Sequence, residues 1–134
     1  MNPRQPLALA LRTSEDIVRM RQTVREHAIM IGFSLVDQTK LVTAASELAR
    51  NAVIYGGGGE VVIETMSEGP RRGLKLLFVD HGPGIADIDL AMKDGFTTGN
   101  GLGLGLGGAK RLMSEFEIRS TPGQGTTIVV TRWR

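Results

Sequence analysis

Apolar and polar positions follow two rhythms along this chain, and the switches between them divide it into elements. PLALALR (residues 6–12) opens with leucines and alanines, a faint strand signal. Thr13 and Ser14, followed by Glu15 and Asp16, look like an N-cap with acidic residues in the first turn. Ile17, Met20, Val24, Ala28 and Ile31 then recur at helical spacing, and Gly32 is a natural stop. A second helix is predicted from about 34–37 to Tyr55, with Leu41, Ala45, Leu48 and Ala52 on its buried side, and the four glycines 56–59 end it.

EVVIETM (60–66) and LKLLFVD (74–80) read as strands, and the SEGPRRG between them, with two glycines and a proline, makes a hairpin the simplest connection. After Asp80 runs a glycine-punctuated segment of about twenty residues with room for one short helix; loops that long inside a compact domain are usually functional or mobile. A helix near 106–115 follows. FEIRS, a TPGQG turn and TTIVVTRW then close the chain as strand, turn and strand. The order is strand, two helices, two strands, long loop, helix, two strands. It predicts one mostly antiparallel sheet covered by helices on one face.

Composition narrows the function classes. The 134 residues suit a single domain with one sizeable core, and 41% apolar residues describe an ordinary globular chain. No apolar run approaches the roughly 20 residues of a membrane span, and MNPRQPLALALRT lacks the apolar core and cleavage site of a signal peptide. With no cysteine there is no disulfide or thiolate chemistry. A net charge of +2, from 16 basic and 14 acidic residues, gives no footprint for nucleic acid.

The stretch GNGLGLGLGGAKRLM (99–113) is the richest in glycine, and Gly103, Gly105 and Gly108 spell G-x-G-x-x-G. A dinucleotide fingerprint would follow an apolar strand and be answered by an acidic residue about 20 positions on. Here DGFTTGN precedes the glycines and the apolar TTIVV lies at that distance, so this reading fails. A Walker A loop fails too, because Lys110 stands between Ala109 and Arg111 rather than between glycine and a hydroxyl residue. What survives is general: glycine backbone donors and a helix start favour an anion such as a triphosphate. Taken alone, the stretch is equally a loop without a ligand.

Two further segments bear on that choice. In ELARNAVIYG (47–56), Glu47 and Asn51 are four apart and share a helix face with Ala44 and Ile54. A carboxylate there suits proton acceptance, and an amide oxygen suits a hard cation such as Mg²⁺. Alone, both residues also read as the solvated side of an amphipathic helix. In FVDHGPGI (78–85) a strand ends in Asp80 and breaks at once into Gly-Pro-Gly. That carboxylate suits an exocyclic amine on a base, and equally an ordinary Asx turn. His27 and His81 have the ordinary structural reading, and Lys110 and Arg111 suit either phosphate or a solvated face.

In order along the chain, Glu47…Asn51, Asp80-x-Gly82-x-Gly84, the glycine loop 101–108 and Gly123-x-Gly125-Thr126 resemble the N box, G1 box, G2 box and closing Gly-x-Gly-Thr of the GHKL ATP-binding superfamily of gyrase, Hsp90, histidine kinases and MutL. The resemblance covers the whole chain, 1–134, as a single ATP-binding kinase domain. It implies an α+β fold, a two-layer α/β sandwich of the Bergerat type with a mixed, mostly antiparallel sheet and helices on one face. The length directs it to the small bacterial anti-sigma-factor-type serine/threonine kinases. DGFTTGNGLGLGLGGAKRLMSEFEI looks most like the RsbT-type switch kinases of the stressosome, with the RsbW and SpoIIAB types as the neighbouring subgroup.

The resemblance implies a role for each matched residue. Asp80 would accept from the adenine amino group with Thr126 in support; Gly82 and Gly84 would let the backbone approach the nucleotide. Asn51 would ligate Mg²⁺; Gly101, Gly103 and Gly105 would hold the phosphates of ATP; Glu47 would orient or deprotonate the attacking serine hydroxyl. Ile54 departs from the lysine of many histidine kinases, and Gly107 stands where related switch kinases have proline, which would loosen the loop. The implied partners are a STAS-domain protein substrate and a PP2C-type phosphatase activated on release, or, alternatively, a sequestered sigma factor. The implied setting is cytoplasmic, with neither nucleic acid nor membrane engaged.

Overall fold

The computed structural model describes residues 6–93 and 105–134. Strand β1 (Leu7–Leu11) leads into helix α1 (Ser14–Met30). The predicted N-cap forms a capping box: Thr13 Oγ1 accepts from Asp16 N, and an Asp16 carboxylate oxygen accepts from Thr13 N. Helix α2 (Leu35–Arg50) begins on a simpler N-cap, with Ser34 Oγ accepting from Asp37 N at 3.1 Å. Beyond Arg50 the chain does not stay α-helical to Tyr55. It widens into one π-helical turn, Asn51–Tyr55, in which Gly56 N donates to Asn51 O at 3.0 Å.

Strands β2 (Gly59–Glu68) and β3 (Arg71–Asp80) form the predicted hairpin across Gly69-Pro70. A short helix α3 (Ile88–Ala91) lies in the long segment, and α4 (Gly105–Arg111) precedes β4 (Glu115–Thr121) and β5 (Gly125–Trp133). The strand order is β1-β2-β3-β5-β4, and all four pairings are antiparallel. β5 therefore enters the sheet between β3 and β4, next to a strand about 45 residues earlier in sequence.

The two faces of the sheet follow the period-two rule. Leu11, Val61, Ile63, Leu74, Leu76, Phe78, Ile128 and Val130 point to one side and are buried. Met20, Val24 and Ala28 of α1 and Leu41, Ala45 and Leu48 of α2 cover that side. Fully burying each large apolar side chain stabilises the fold by roughly 1.5–3 kcal/mol. His27 lies in the same layer, fully buried, with Nδ1 donating to Thr23 O at 2.9 Å, which is the structural role expected of it. Among the described residues no helix is long and apolar enough to cross a membrane.

Arg132 ties the layers together. Its guanidinium donates to Asp37 Oδ1 at 2.8 Å and to Leu112 O at 2.6 Å, joining the end of β5 to the start of α2 and the exit of α4. The hydrogen bond from Arg132 holds the Asp37 carboxyl below the usual carboxylate range. A folded-state value that is lowered contributes stability above the unfolded value, near 3.9, which is lost as pH falls through the folded one. Thermal unfolding of Asp37→Asn is therefore expected to depend less steeply on pH below about 4 than that of the wild-type chain. Melting curves from pH 6 to pH 2.5 check this.

Candidate functional site

The site is built where the strands end on the helix side of the sheet. Cross-strand pairing sets Gly59, Asp80, Thr126 and Ser120 in one transverse row: Gly59 opposite Asp80, Asp80 opposite Thr126, Thr126 opposite Ser120. Asp80 and Thr126 continue the inward faces of Phe78 and Ile128, so their side chains emerge beneath the helices at the edge of the core. This pairing brings Thr126 to Asp80, as the sequence led one to expect, although the two are far apart in the chain.

The loop after Asp80 is pinned rather than free. Gly82 N donates to Asp80 Oδ1 at 3.0 Å, closing the Asx turn. Ile85 N donates to Ser120 Oγ at 2.7 Å, and Gly123 N donates to Pro83 O at 2.7 Å, so residues 82–85 are fastened to the β4–β5 turn. Ser120 Oγ also lies 2.8 Å from Thr126 Oγ1 and donates to Gly125 O at 3.1 Å. Gly125 is at φ +108°, and a Cβ there would overlap Asp80 O and stand 2.8 Å from His81 Cα. Only glycine permits β5 to begin there.

The G1-box glycines are used for close approach within the chain itself. A Cβ on Gly82 would stand 2.6 Å from Gly56 Cα, and one on Gly84 would stand 2.5 Å from Thr121 O. Gly56 in turn lies against the Asp80 side chain, where a Cβ would stand 2.6 Å from Asp80 Cβ and 2.7 Å from Oδ2. The end of the π turn, the carboxylate and the Gly82 backbone are thus in mutual contact.

Glu47 and Asn51 form the other half of the site. Asn51 N donates to Glu47 O, so the two remain one α-turn apart on the expected face, although Ile54, carried round by the π turn, is 56% exposed. The half-buried Glu47 carboxylate accepts from Gly105 N at 3.3 Å through Oε2, and Arg50 Nη1 lies 3.5 Å from Oε1. Glu47 and Gly105, the first residue of α4, are therefore together. No described residue hydrogen-bonds the Asn51 carboxamide, which leaves its oxygen available to a cation. Gly101 and Gly103, expected at the phosphates, lie outside the described residues.

Gly107 differs from expectation. Rather than loosening a loop it is buried in α4, and a Cβ would overlap the carbonyl oxygen of Met92 at the end of α3, so glycine sets the approach of the two helices. His81 is exposed, as are Lys110 and Arg111. A concavity of ≈ 190 Å³ at the same strand ends is lined by Asp80 and Thr126 together with Val79, Arg119, Gln124 and Thr127. It is smaller than the roughly 300–1,000 Å³ of ordinary ligand pockets. Sequence reasoning missed Gly56, the π turn and Ser120. Gly56 was hidden among four glycines that read as a helix stop, and Ser120 carries no local signal.

Comparison with known proteins locates this arrangement. Residues 36–133 match the family described as histidine kinase-, DNA gyrase B-, and HSP90-like ATPase. The chain is 49% identical over 121 residues to the serine/threonine-protein kinase RsbT of Bacillus subtilis (strain 168), covering 90% of this chain and 91% of that one. It is 30% identical over 119 residues to an anti-sigma F factor of Thermoanaerobacter sp. (strain X514), covering 84% and 82%. Among solved structures, the RsbU and RsbW domains of Rv1364c from Mycobacterium tuberculosis superpose with a TM-score of 0.68 at 25% identity, over 97% of this chain and 33% of that chain. The mycobacterial sensor histidine kinase MprB, at 20% identity and a TM-score of 0.55, covers 97% of each chain and shares the fold.

Proposed function

The chain belongs to the histidine kinase-, DNA gyrase B- and HSP90-like ATPase family and is an ATP-using serine/threonine-protein kinase of the partner-switching kind, and we propose that its substrate is a small STAS-domain antagonist protein. In this reading the phosphorylated antagonist releases the kinase, which then binds and activates a PP2C-type phosphatase in the cytoplasm. The observation that carries the phosphotransfer chemistry of this reading is the joining of Glu47 to Gly105, a base candidate held beside the start of α4.

Each residue has a task. The Asp80 carboxylate accepts from the exocyclic amine of adenine, with Thr126, steadied by Ser120, beside it. Asn51 would be the protein ligand to Mg²⁺: its carboxamide oxygen is a hard neutral ligand with no competing bond from a described residue. When bound, Mg²⁺ supplies neutralisation of the phosphate charge. The Gly105 N–H donates to Glu47 Oε2 and so holds the proposed base against the start of α4. The substrate hydroxyl oxygen bonds to the γ-phosphorus, the bond to the bridging oxygen of ADP breaks, and the hydroxyl proton passes to Glu47. Phosphoryl transfer is mainly positioning and charge neutralisation, so this small set suffices.

Incubation with γ-labelled ATP and the STAS-domain protein encoded beside its gene is expected to label a serine or threonine of that protein, and a chelator to stop the labelling. No label on any STAS protein encoded nearby would overturn the substrate assignment. The second reading, a sigma factor sequestered by the chain and released by its kinase activity, is favoured by the similarity to an anti-sigma F factor. Retention of a neighbouring sigma factor on the immobilised chain, with no transfer to a STAS protein, supports that reading instead.

A further inference from the structure

We propose that Gly56 is a positioning residue for purine selection: its bare Cα is the floor on which the Asp80 carboxylate is set, and any side chain there unseats the carboxylate. The proposal rests on the reading of Asp80 as the acceptor for the adenine amine.

Gly56 is the residue on which the π turn closes, through its N–H to Asn51 O at 3.0 Å. Its backbone is at φ −86° and ψ −6°, a conformation open to any L residue, so the need for glycine is one of space and not of chain geometry. The space in question belongs to Asp80. A Cβ on Gly56 would lie 2.6 Å from Asp80 Cβ and 2.7 Å from Oδ2, far inside van der Waals contact. On its other side Gly56 touches Gly82, whose amide holds Oδ1 at 3.0 Å.

The two carboxylate oxygens are therefore held differently. Oδ1 is committed to Gly82 N, while Oδ2 rests over Gly56 and remains the acceptor for an exocyclic amine. The extra residue per turn in the π helix brings Gly56 under the carboxylate, which assigns the helix that carries Glu47 and Asn51 a share in reading the base.

The test compares Gly56→Ala with Gly57→Ala. Gly57 is the next residue, at φ +72°, and a Cβ there meets nothing within 4 Å, so its substitution strains the backbone without touching Asp80. Binding of ATP and of inosine triphosphate, which carries a 6-oxo group in place of the amine, is measured by calorimetry for each. Gly56→Ala is expected to weaken ATP about tenfold or more and inosine triphosphate by less than about threefold, the difference expected when a charge-assisted hydrogen bond is misplaced. In a titration of transfer rate against ATP, the KM for ATP should rise with kcat nearly unchanged. Gly57→Ala should lower Tm and leave the ATP preference intact.

A folded Gly56→Ala with wild-type preference overturns the proposal, as does an equal loss of preference in both variants. If Gly56→Ala fails to fold, Gly56→Ala/Asp80→Gly, which removes the opposing side chain, should fold as well as Asp80→Gly alone; if it does not, the clash is not with Asp80 and the proposal fails. Asp80→Asn separates the two layers of argument. An unchanged preference there overturns the reading of Asp80 itself, whereas a lost preference there with an unchanged one in Gly56→Ala overturns only the role of Gly56.

Discussion

Replacing Glu47 with glutamine is expected to lower phosphoryl transfer to the protein substrate by about 10²–10⁴-fold, the usual contribution of a positioned general base. Glutamine is chosen because it separates chemistry from architecture. The carboxylate accepts from Gly105 N at 3.3 Å, and it is one link between α2 and α4. An amide oxygen keeps that bond and the side-chain shape, so Tm should change little. It removes the proton acceptor and the partial ion pair with Arg50, a pair more than a third exposed on the arginine side and therefore of small consequence for stability. Alanine would remove the link to α4 as well, and its loss of activity would confound positioning with proton transfer. ATP binding by Glu47→Gln should stay within about threefold of wild type, because an effect confined to the transition state leaves ground-state binding alone. A variant that transfers phosphate at the wild-type rate shows that Glu47 is not the base. A variant that loses ATP binding in proportion to activity shows that its role lies in assembling the pocket.

The parts of this molecule that could be read from the chain are those set by local rules. Thr13 announced the first long helix because an N-cap acts on amides two or three residues away, and the second was announced by the spacing of Leu41, Ala45, Leu48 and Ala52. The β2–β3 hairpin was legible in SEGPRRG, and Asp80 stood out because a strand ends there in a carboxylate with Gly82-Pro83-Gly84 just beyond it. The π turn was not legible. Asn51–Tyr55 fits the helical rhythm as well as an α-helix does, and the close approach of Gly56 to Asp80 and Gly82 that accompanies bonding five residues back is a contact between distant parts of the chain. Ser120 was hidden for a related reason. Its importance comes from the insertion of β5 between β3 and β4, which places Thr126 between Ser120 and Asp80, and register of that kind is a property of the assembled sheet. Gly107 was misjudged because a glycine that admits a neighbouring carbonyl and one that frees a loop look the same in sequence. Thus Glu47, Asn51 and Asp80, with Gly82 and Thr126 beside the last, were visible as candidates, whereas Gly56 and Ser120, which meet Asp80 and Thr126 only in the assembled fold, were not.

Asp80→Asn is expected to weaken ATP binding by roughly 10- to 150-fold, the range for losing a hydrogen bond to a charged group. The reasoning turns on how the carboxylate is held. Oδ1 already accepts from Gly82 N, and an asparagine in the same turn keeps its oxygen there, since the Gly82 amide can only donate. The amide nitrogen then occupies the position of Oδ2 over Gly56 and faces the exocyclic amine donor to donor. The same nitrogen suits a 6-oxo group, so inosine triphosphate should bind Asp80→Asn as well as or better than it binds the wild type. The preference between the two nucleotides should narrow or invert while the fold, whose strand pairing at Asp80 is made by the backbone, keeps its Tm within a few degrees. Calorimetric titration of both nucleotides into both proteins reads the result directly. Equal weakening of the two nucleotides means that the carboxylate supports the pocket wall and does not read the base. Unchanged ATP affinity in a folded Asp80→Asn removes the row of Gly59, Asp80, Thr126 and Ser120 from the nucleotide site altogether.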